Sequence, residues 1–496
     1  MKSILAVFLS FLIVFSFVGC KKNPEQNLSS DNSYLFSQTD DTLSSAESIS
    51  SSMVSPSSSK ANESTVMHPA PGSTPAVVTP KPTVTEPTKT EDGNDIISDG
   101  DIKVEDVAST EEVPEQEEVP EIKEEIAVNT NHTPLSADKY YQYQSLNSKQ
   151  KQVYNAVITA IKETKNIINV TEFNISREDG LLVLQKALAD HPEYFYVSRH
   201  SSAMYNPETM NSTALFIYYT DGETVDKLDD DGKLTLISDR ESIAKQITLF
   251  NAKAEEILKS IPANYSDVLK EKMIHDYLLD NLTYDYKSAE DLTLQFGEAM
   301  GHAWDSYGAL IEGNVVCEGY SKAFAYLCHC AGLNAVTVTG EANGGAHMWN
   351  AVQIENEWYN TDVTWDDAAE IRIYSYFNLT TNQLSATHTV KTSFAVPLCT
   401  SAKHSFNNSF AIDISNGRLP ENYKTMVDQV YMLGDNYLYC VINEQFGVSG
   451  GFLMTNITGK NSPVMKYVTQ KGYNISFAVN KSMIYSTLLY VYIEKN

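Results

Sequence analysis

Cys317, His347 and Asp362 follow one another within fewer than fifty residues, and each sits in a local setting that suits it to chemistry. A thiol nucleophile needs a base within hydrogen-bond reach, and the base needs a third group to hold its tautomer and orientation. Cys317 lies in NVVCEGYSKAFAYLCHCAGL, where Tyr320, Phe324, Leu327, Cys328 and Ala331 recur at helical spacing up to Gly332, a residue suited to a C-cap. The spacing puts Cys317 at or just before a helix N-terminus, where the macrodipole and unpaired amides favour the thiolate. Gly313 and Gly319 are expected to permit close approach of a substrate backbone or oxyanion. His347 opens the alternating run HMWNAVQI, and a turn at Glu355-Asn356-Glu357 returns the chain as WYNTD. Antiparallel pairing would set His347 and Asp362 nearly opposite each other, about seven residues either side of the turn. Asp366 and Asp367 compete for the third role, but Asp362 fits the hairpin better. Trp349, Trp358 and Trp365 read as core packing in preference to a substrate cradle.

The runs VVCEGYSKAF, AHMWNAVQI and WYNTDVTWDD resemble the transglutaminase-like superfamily, and IHDYLLDNLTYDY, SYGALIEG and YFNLT resemble its bacterial, surface-attached members. The resemblance spans about 265–405 and departs only slightly, with Met348 where alanine is common. It implies an α+β, papain-like core in which a helix bearing the cysteine packs on an antiparallel sheet bearing histidine and aspartate. By position it assigns the nucleophile to Cys317, the base to His347 and the orienting acid to Asp362, with no metal or other cofactor. The Cys317 amide would be one oxyanion donor, with Trp304 or Tyr307 lining the site. The implied reaction is attack on an amide carbonyl, giving a thioester that passes to water or to an amine.

Other elements must position and deliver this domain. Met1-Lys2-Ser3, the apolar run Ile4–Val18 and Gly19-Cys20 describe a signal peptide over 1–19. The apolar run is too short for a comfortable span, which wants about 20 residues. The stretch resembles a bacterial lipoprotein signal, although Phe17 replaces the usual aliphatic residue. Lipid on Cys20 would place the chain outside the cytoplasmic membrane, anchored to it. Residues 20–134 read as a disordered tether, Ser/Thr/Pro-rich and then acidic. From Glu91 to Glu125 there are 15 acids against 2 lysines, a net of −13 in a chain whose total is −28. Nearly half of the net charge therefore sits in this tract of the tether, and the balance disfavours nucleic-acid partners.

The expected order from there is an α/β region over 135–250, the catalytic domain over 251–405 and a β-rich region over 406–496. NYLYCVIN, GGFLMTN, NISFAVN and STLLYVYIEKN read as strands of the last. Apart from Cys20 there are five cysteines, so at least one thiol cannot pair; Cys328 and Cys330 read as buried residues of one helix and fit no zinc spacing. His275 reads as structural, His388 and His404 receive no role, and KLDDDGK reads as a hairpin turn in preference to a calcium loop. Three functions fit: a surface peptidase or amidase acting on protein or cell-wall peptide, a protein-crosslinking transglutaminase, or a non-catalytic binding module.

Overall fold

The computed structural model describes residues 135–206, 208–228, 233–291, 301–367, 372–433, 435, 437–442, 454–481 and 487–495. The signal peptide, Cys20, the tether and the centre of KLDDDGK lie outside the described residues. Helix α1 (Ser148–Lys162) starts in a capping box between Asn147 and Gln150, and α2 (Arg177–Asp190) starts where Ser176 Oγ accepts from the Asp179 amide. They cover an antiparallel sheet of order β1-β3-β2, with β1 at Ile167–Asn169, β2 at Val197–Tyr205 and β3 at Ser212–Tyr219. Helix α3 (Arg240–Lys259) and α4 (Asp267–Asn281) follow. Val153 and Val157 of α1, Val183 of α2, Phe250 of α3 and Phe324 further on belong to one cluster of buried apolar residues, so the core runs unbroken across residue 250. Among the described residues no helix is long and apolar enough to cross a membrane.

The cysteine helix α5 (Cys317–Cys330) ends in a Schellman motif: Gly332, at φ +85°, donates to the His329 carbonyl and Leu333 to that of Cys328. It packs on an antiparallel sheet of order β6-β5-β4-β7, where β4 is Asn334–Ala342, β5 Gly345–Ile354, β6 Glu357–Thr361 and β7 His388–Val390. The β5–β6 turn is tighter than expected. Glu355 and Asn356, at φ +50° and +68°, make a two-residue loop of the type that matches strand twist, and Glu357 already pairs with Ile354. Thr361 then lies opposite Asn350, so Asp362 falls level with Trp349 and sits two residues out of line with His347. It also stands beyond the strand, as N-cap of the single-turn helix α6 (Val363–Asp366). The two-residue offset preserves the side-chain face.

The C-terminal region is mixed, not β-rich. Strands β8 (Ala411–Asp413), β9 (Tyr437–Ile442), β10 (Tyr473–Lys481) and β11 (Thr487–Lys495) form a sheet of order β8-β9-β11-β10. Strand β8 pairs with β9 in parallel, which requires a crossover connection, and α7 (Tyr423–Leu433) supplies it. Its Met426, Val427 and Val430 pack with Val464 and Val468 of α8 (Pro463–Gln470). The end of GGFLMTN, read as strand, is a short π-helical turn at Met454–Thr458.

This region is tied to α4 by ions. The fully buried Lys272 Nζ lies 2.5 Å from Asp276 and 2.8 Å from Asp435, while Arg372 reaches Asp435 at 2.8 Å, Asp276 at 3.2 Å and also Asp280. Removing one member of such a buried set leaves opposite charges stranded, typically at about 3–5 kcal/mol. Lys272→Ala should therefore lower the urea midpoint at pH 7 by an amount corresponding to about 3–5 kcal/mol. Lys245→Ala, which removes an exposed pair with Glu241, should leave the midpoint where it is.

Candidate active site

Cys317 is buried at the first residue of α5, and the N-cap Val316 offers no side-chain bond to the helix amides. The nucleophilic species of such a residue is the reduced thiol, as its thiolate. Ser321, one turn along the same face, fixes the seating: its hydroxyl donates to the Met348 carbonyl at 2.9 Å, and Asn350 Nδ2 donates to the Ser321 carbonyl at 2.9 Å. The cysteine face of α5 is thus bonded to β5 beside His347. Gly319 serves packing, not substrate. A Cβ there would lie 2.6 Å from that of Val315, while Gly313 sits at φ +75° to close the π-helical turn Gly308–Glu312.

His347 and Asp362 are both buried, and Nε2 lies 2.7 Å from Asp362 Oδ2. A carboxylate only accepts, so Nε2 carries the proton and Nδ1 presents a lone pair. Nδ1 is buried and has no hydrogen-bond partner among the described residues. Asp362 Oδ1 accepts the Trp365 amide at 3.1 Å. A second imidazole reaches the same carboxylate: His388 Nε2 lies 3.1 Å from Oδ2. Burial works to raise the Asp362 carboxyl, but the charge and hydrogen bond of His347, followed by those of His388, hold it well below the usual carboxylate range. Trp365 closes over both imidazoles, with ring centres 5.6 Å from His347 and 4.5 Å from His388.

The competing acids are engaged elsewhere. Asp367 accepts from the Tyr320 hydroxyl at 2.6 Å. Asp366 lies 3.1 Å from His275 Nε2 and accepts the Tyr376 amide; burial, opposed by His275, pushes it up to about 6. His275 is fully buried. Burial would lower its pKa, but Asp276, 3.6 Å from Nδ1, and Asp366 push it up to about 9. Beneath Thr361, the fully buried Glu271 accepts from Thr361 Oγ1 at 3.1 Å and Asn378 Nδ2 at 2.7 Å. Burial, against those two bonds, pushes it up to about 8.

A cleft of about 140 Å³ opens alongside, lined by Arg199, Trp304, Glu318, Lys322, Met348 and Phe394 among others. Glu318 and Met348 are the chain neighbours of Cys317 and His347. Arg199 and Lys322 reach Glu318 at 3.0 and 2.6 Å. Tyr307 instead packs into the core between Phe195 and His302. Cys328, Cys330, Cys399 and Cys440 are buried free thiols. His347, Asp362 and His388 each offer a ligand atom within 4.8 Å of the others, the set among the described residues that could hold a metal ion. Binding an ion there would cost both imidazole–carboxylate hydrogen bonds. The sequence left His388 without a role and did not single out Ser321 or Glu271; their partners lie far along the chain, and no local pattern marks them.

Residues 252–363 match the family model described as the transglutaminase-like superfamily, so the chain contains a transglutaminase-like domain. That segment includes Cys317, His347 and Asp362 and stops short of His388. The kyphoscoliosis peptidase of Mus musculus is 26% identical over 144 residues, which is 27% of this chain and 21% of the relative. The Homo sapiens protein of that name is 24% identical over 152 residues, 28% of this chain and 22% of the relative. The chain thus spans about a fifth of the length of these relatives. A solved transglutaminase structure aligns at 17% identity with a TM-score of 0.22, covering 45% of this chain and 54% of that one.

Glu271 gives the site layer a pH signature. Folding raises its pKa, so the stability it contributes is fully present below about pH 4.3 and drains away as pH rises through about 8. Urea midpoints measured from pH 5 to 8.5 should fall for the wild type and fall much less for Glu271→Gln.

Proposed function

We propose that the transglutaminase-like domain is a thiol enzyme acting on amide bonds of protein or cell-wall peptide through a Cys317 acyl-enzyme. The observation that carries this reading is the state of His347: one ring nitrogen is committed to Asp362, and the other is buried and unpartnered among the described residues, on the strand that receives the Cys317 helix. An imidazole so arranged is a base with its acceptor nitrogen held open.

In this reaction the reduced Cys317 thiol gives its proton to His347 Nδ1. The thiolate attacks the amide carbonyl, with the Cys317 amide at the helix start stabilising the oxyanion. His347 then returns the proton from Nδ1 to the leaving amine, and a thioester remains. Water releases it as an acid, or an amine takes it as a new amide. Throughout, Asp362 accepts a hydrogen bond from Nε2–H and, staying ionised, stabilises the imidazolium. Both Glu318, beside the nucleophile, and the cations of Arg199 and Lys322 face the cleft, which favours a polar peptide over an apolar ester as substrate. A lipid on Cys20 and a tether over 20–134 would present the domain outside the membrane; we offer this with the enzymatic reading, and protein-crosslinking is the second fate of the same thioester.

After reduction and removal of the reductant, Cys317 should be alkylated by iodoacetamide rapidly at pH 6, and His347→Ala should lower that rate by about a hundredfold. Labelling no faster than an ordinary thiol of pKa about 8.5, unaffected by His347→Ala, would remove the basis for the enzymatic reading. With casein and a fluorescent amine, fragments indicate hydrolysis and labelled casein indicates transfer.

A further inference from the structure

We propose that His388 is a positioning residue that holds Asp362, and through it His347, in the geometry the reaction needs. This rests on the reading of Cys317 and His347 as nucleophile and base.

His388 opens the edge strand β7 and reaches the site from the opposite side of the sheet to β6. Its pairing is His388 with Ala342 and Val390 with Gly340 of β4, and Gly340 in turn lies opposite His347. Gly340 makes this approach possible: a Cβ there would collide with the Thr389 carbonyl and stand 2.7 Å from the Trp349 ring. The imidazole is buried between Trp365, Trp349 and Tyr376, with ring centres at 4.5, 5.0 and 5.6 Å. The titratable neighbours that face it are Asp362 and His347, the latter with its ring centre 5.5 Å away.

The hydrogen bonds fix its tautomer. Nε2 faces a carboxylate oxygen and so must carry a proton, while Nδ1 lies 2.8 Å from the Thr387 hydroxyl and accepts from it. Burial, outweighing the pull of Asp362, lowers the His388 pKa, in keeping with a neutral ring. Thr387 therefore orients His388, and His388 donates to Asp362 Oδ2. With the Trp365 amide on Oδ1 and His347 on Oδ2, three donors from three segments fix the carboxylate. Loss of one leaves the Asp362 plane free to rotate about its side-chain bonds and the His347 ring free to follow. A neutral donor suits this task, because it keeps Asp362 ionised without adding a second cation beside the imidazolium.

The test compares wild type, His388→Leu and His388→Gln in the full chain, Gln retaining an N–H donor of similar reach. One readout is the pH–rate profile of Cys317 alkylation. The other is the downfield N–H proton of the His347–Asp362 bond, observed with ¹⁵N-labelled histidine. Expected results are a rate at pH 6 lowered about tenfold in His388→Leu with its acid limb moved up in pH, a shifted or lost N–H signal, and recovery of both in His388→Gln. Thermal midpoints establish that the variants are folded. A folded His388→Leu with an unmoved N–H signal would overturn the proposal. A responsive N–H signal in a protein whose Cys317 is unreactive even in the wild type would sink the enzymatic reading and leave the positioning role standing.

Discussion

A carboxylate buried away from water must be surrounded by donors or lose its charge. Asp362 meets this constraint at the junction between β6 and α6, and much of the surrounding architecture exists to supply its donors. The helix turn after it provides an amide, the neighbouring strand provides His347, and the far edge of the sheet provides His388. Each donor comes from a different segment, so the geometry holds only when β5, α6 and β7 are all in place. The tryptophans serve the same end. By excluding water from both imidazoles they strengthen the hydrogen bonds that keep the acid ionised.

A second polar layer lies beneath the first and has a different character. Glu271 and Asp366 are buried carboxyls pushed upward in pKa, whereas Asp362 is held down. The difference stems from the company they keep. Glu271 receives neutral donors from Thr361 and Asn378, which with the charge of His275 offset burial only in part. Asp366 has one imidazole, His275, and the repulsion of Asp362 adds to its burial, whereas Asp362 has two imidazoles, His347 and His388. The neutral donors also bind α4 to the Asp362-bearing turn, because Thr361 immediately precedes the acid. Helix α4 thereby supports the site without contributing a group that touches it.

Some of this was legible in the sequence. The helical period from Tyr320 to Ala331 and the glycine after it mark α5 and its end. The alternation from His347 marks β5, since both signals are local and repeat with the period of the element. The exact register of β5 and β6 was not legible. Asn356 suits the left-handed backbone it takes, but Glu355 does not advertise its own, and the tighter loop moves Asp362 two positions from its expected partner. The α7 helix went unread: its apolar residues Met426, Val427 and Val430 lie in a region whose neighbouring runs are strand-like. His388 left no local trace: its meaning comes from a sheet order, β6-β5-β4-β7, that brings its edge strand to an acid 26 residues earlier in the chain. The same holds for Glu271, whose partners Thr361 and Asn378 are 90 and 107 residues away.

The ionic tie between α4 and Asp435 bears on how such a protein can be divided or inherited. The family match ends at residue 363, yet Lys272 within it is tied to Asp435, and beyond it Arg372 and the stacked pair Tyr374–Phe406 bind the following residues to the C-terminal region. A chain cut at residue 405 would part Tyr374 from Phe406 and deprive Lys272 and Arg372 of a shared counter-ion, on the helix that also carries Glu271 and His275. The smallest autonomous unit is therefore larger than the homologous one. Recombination that transplanted only the matched segment would leave Lys272 without the Asp435 counter-charge that it meets here.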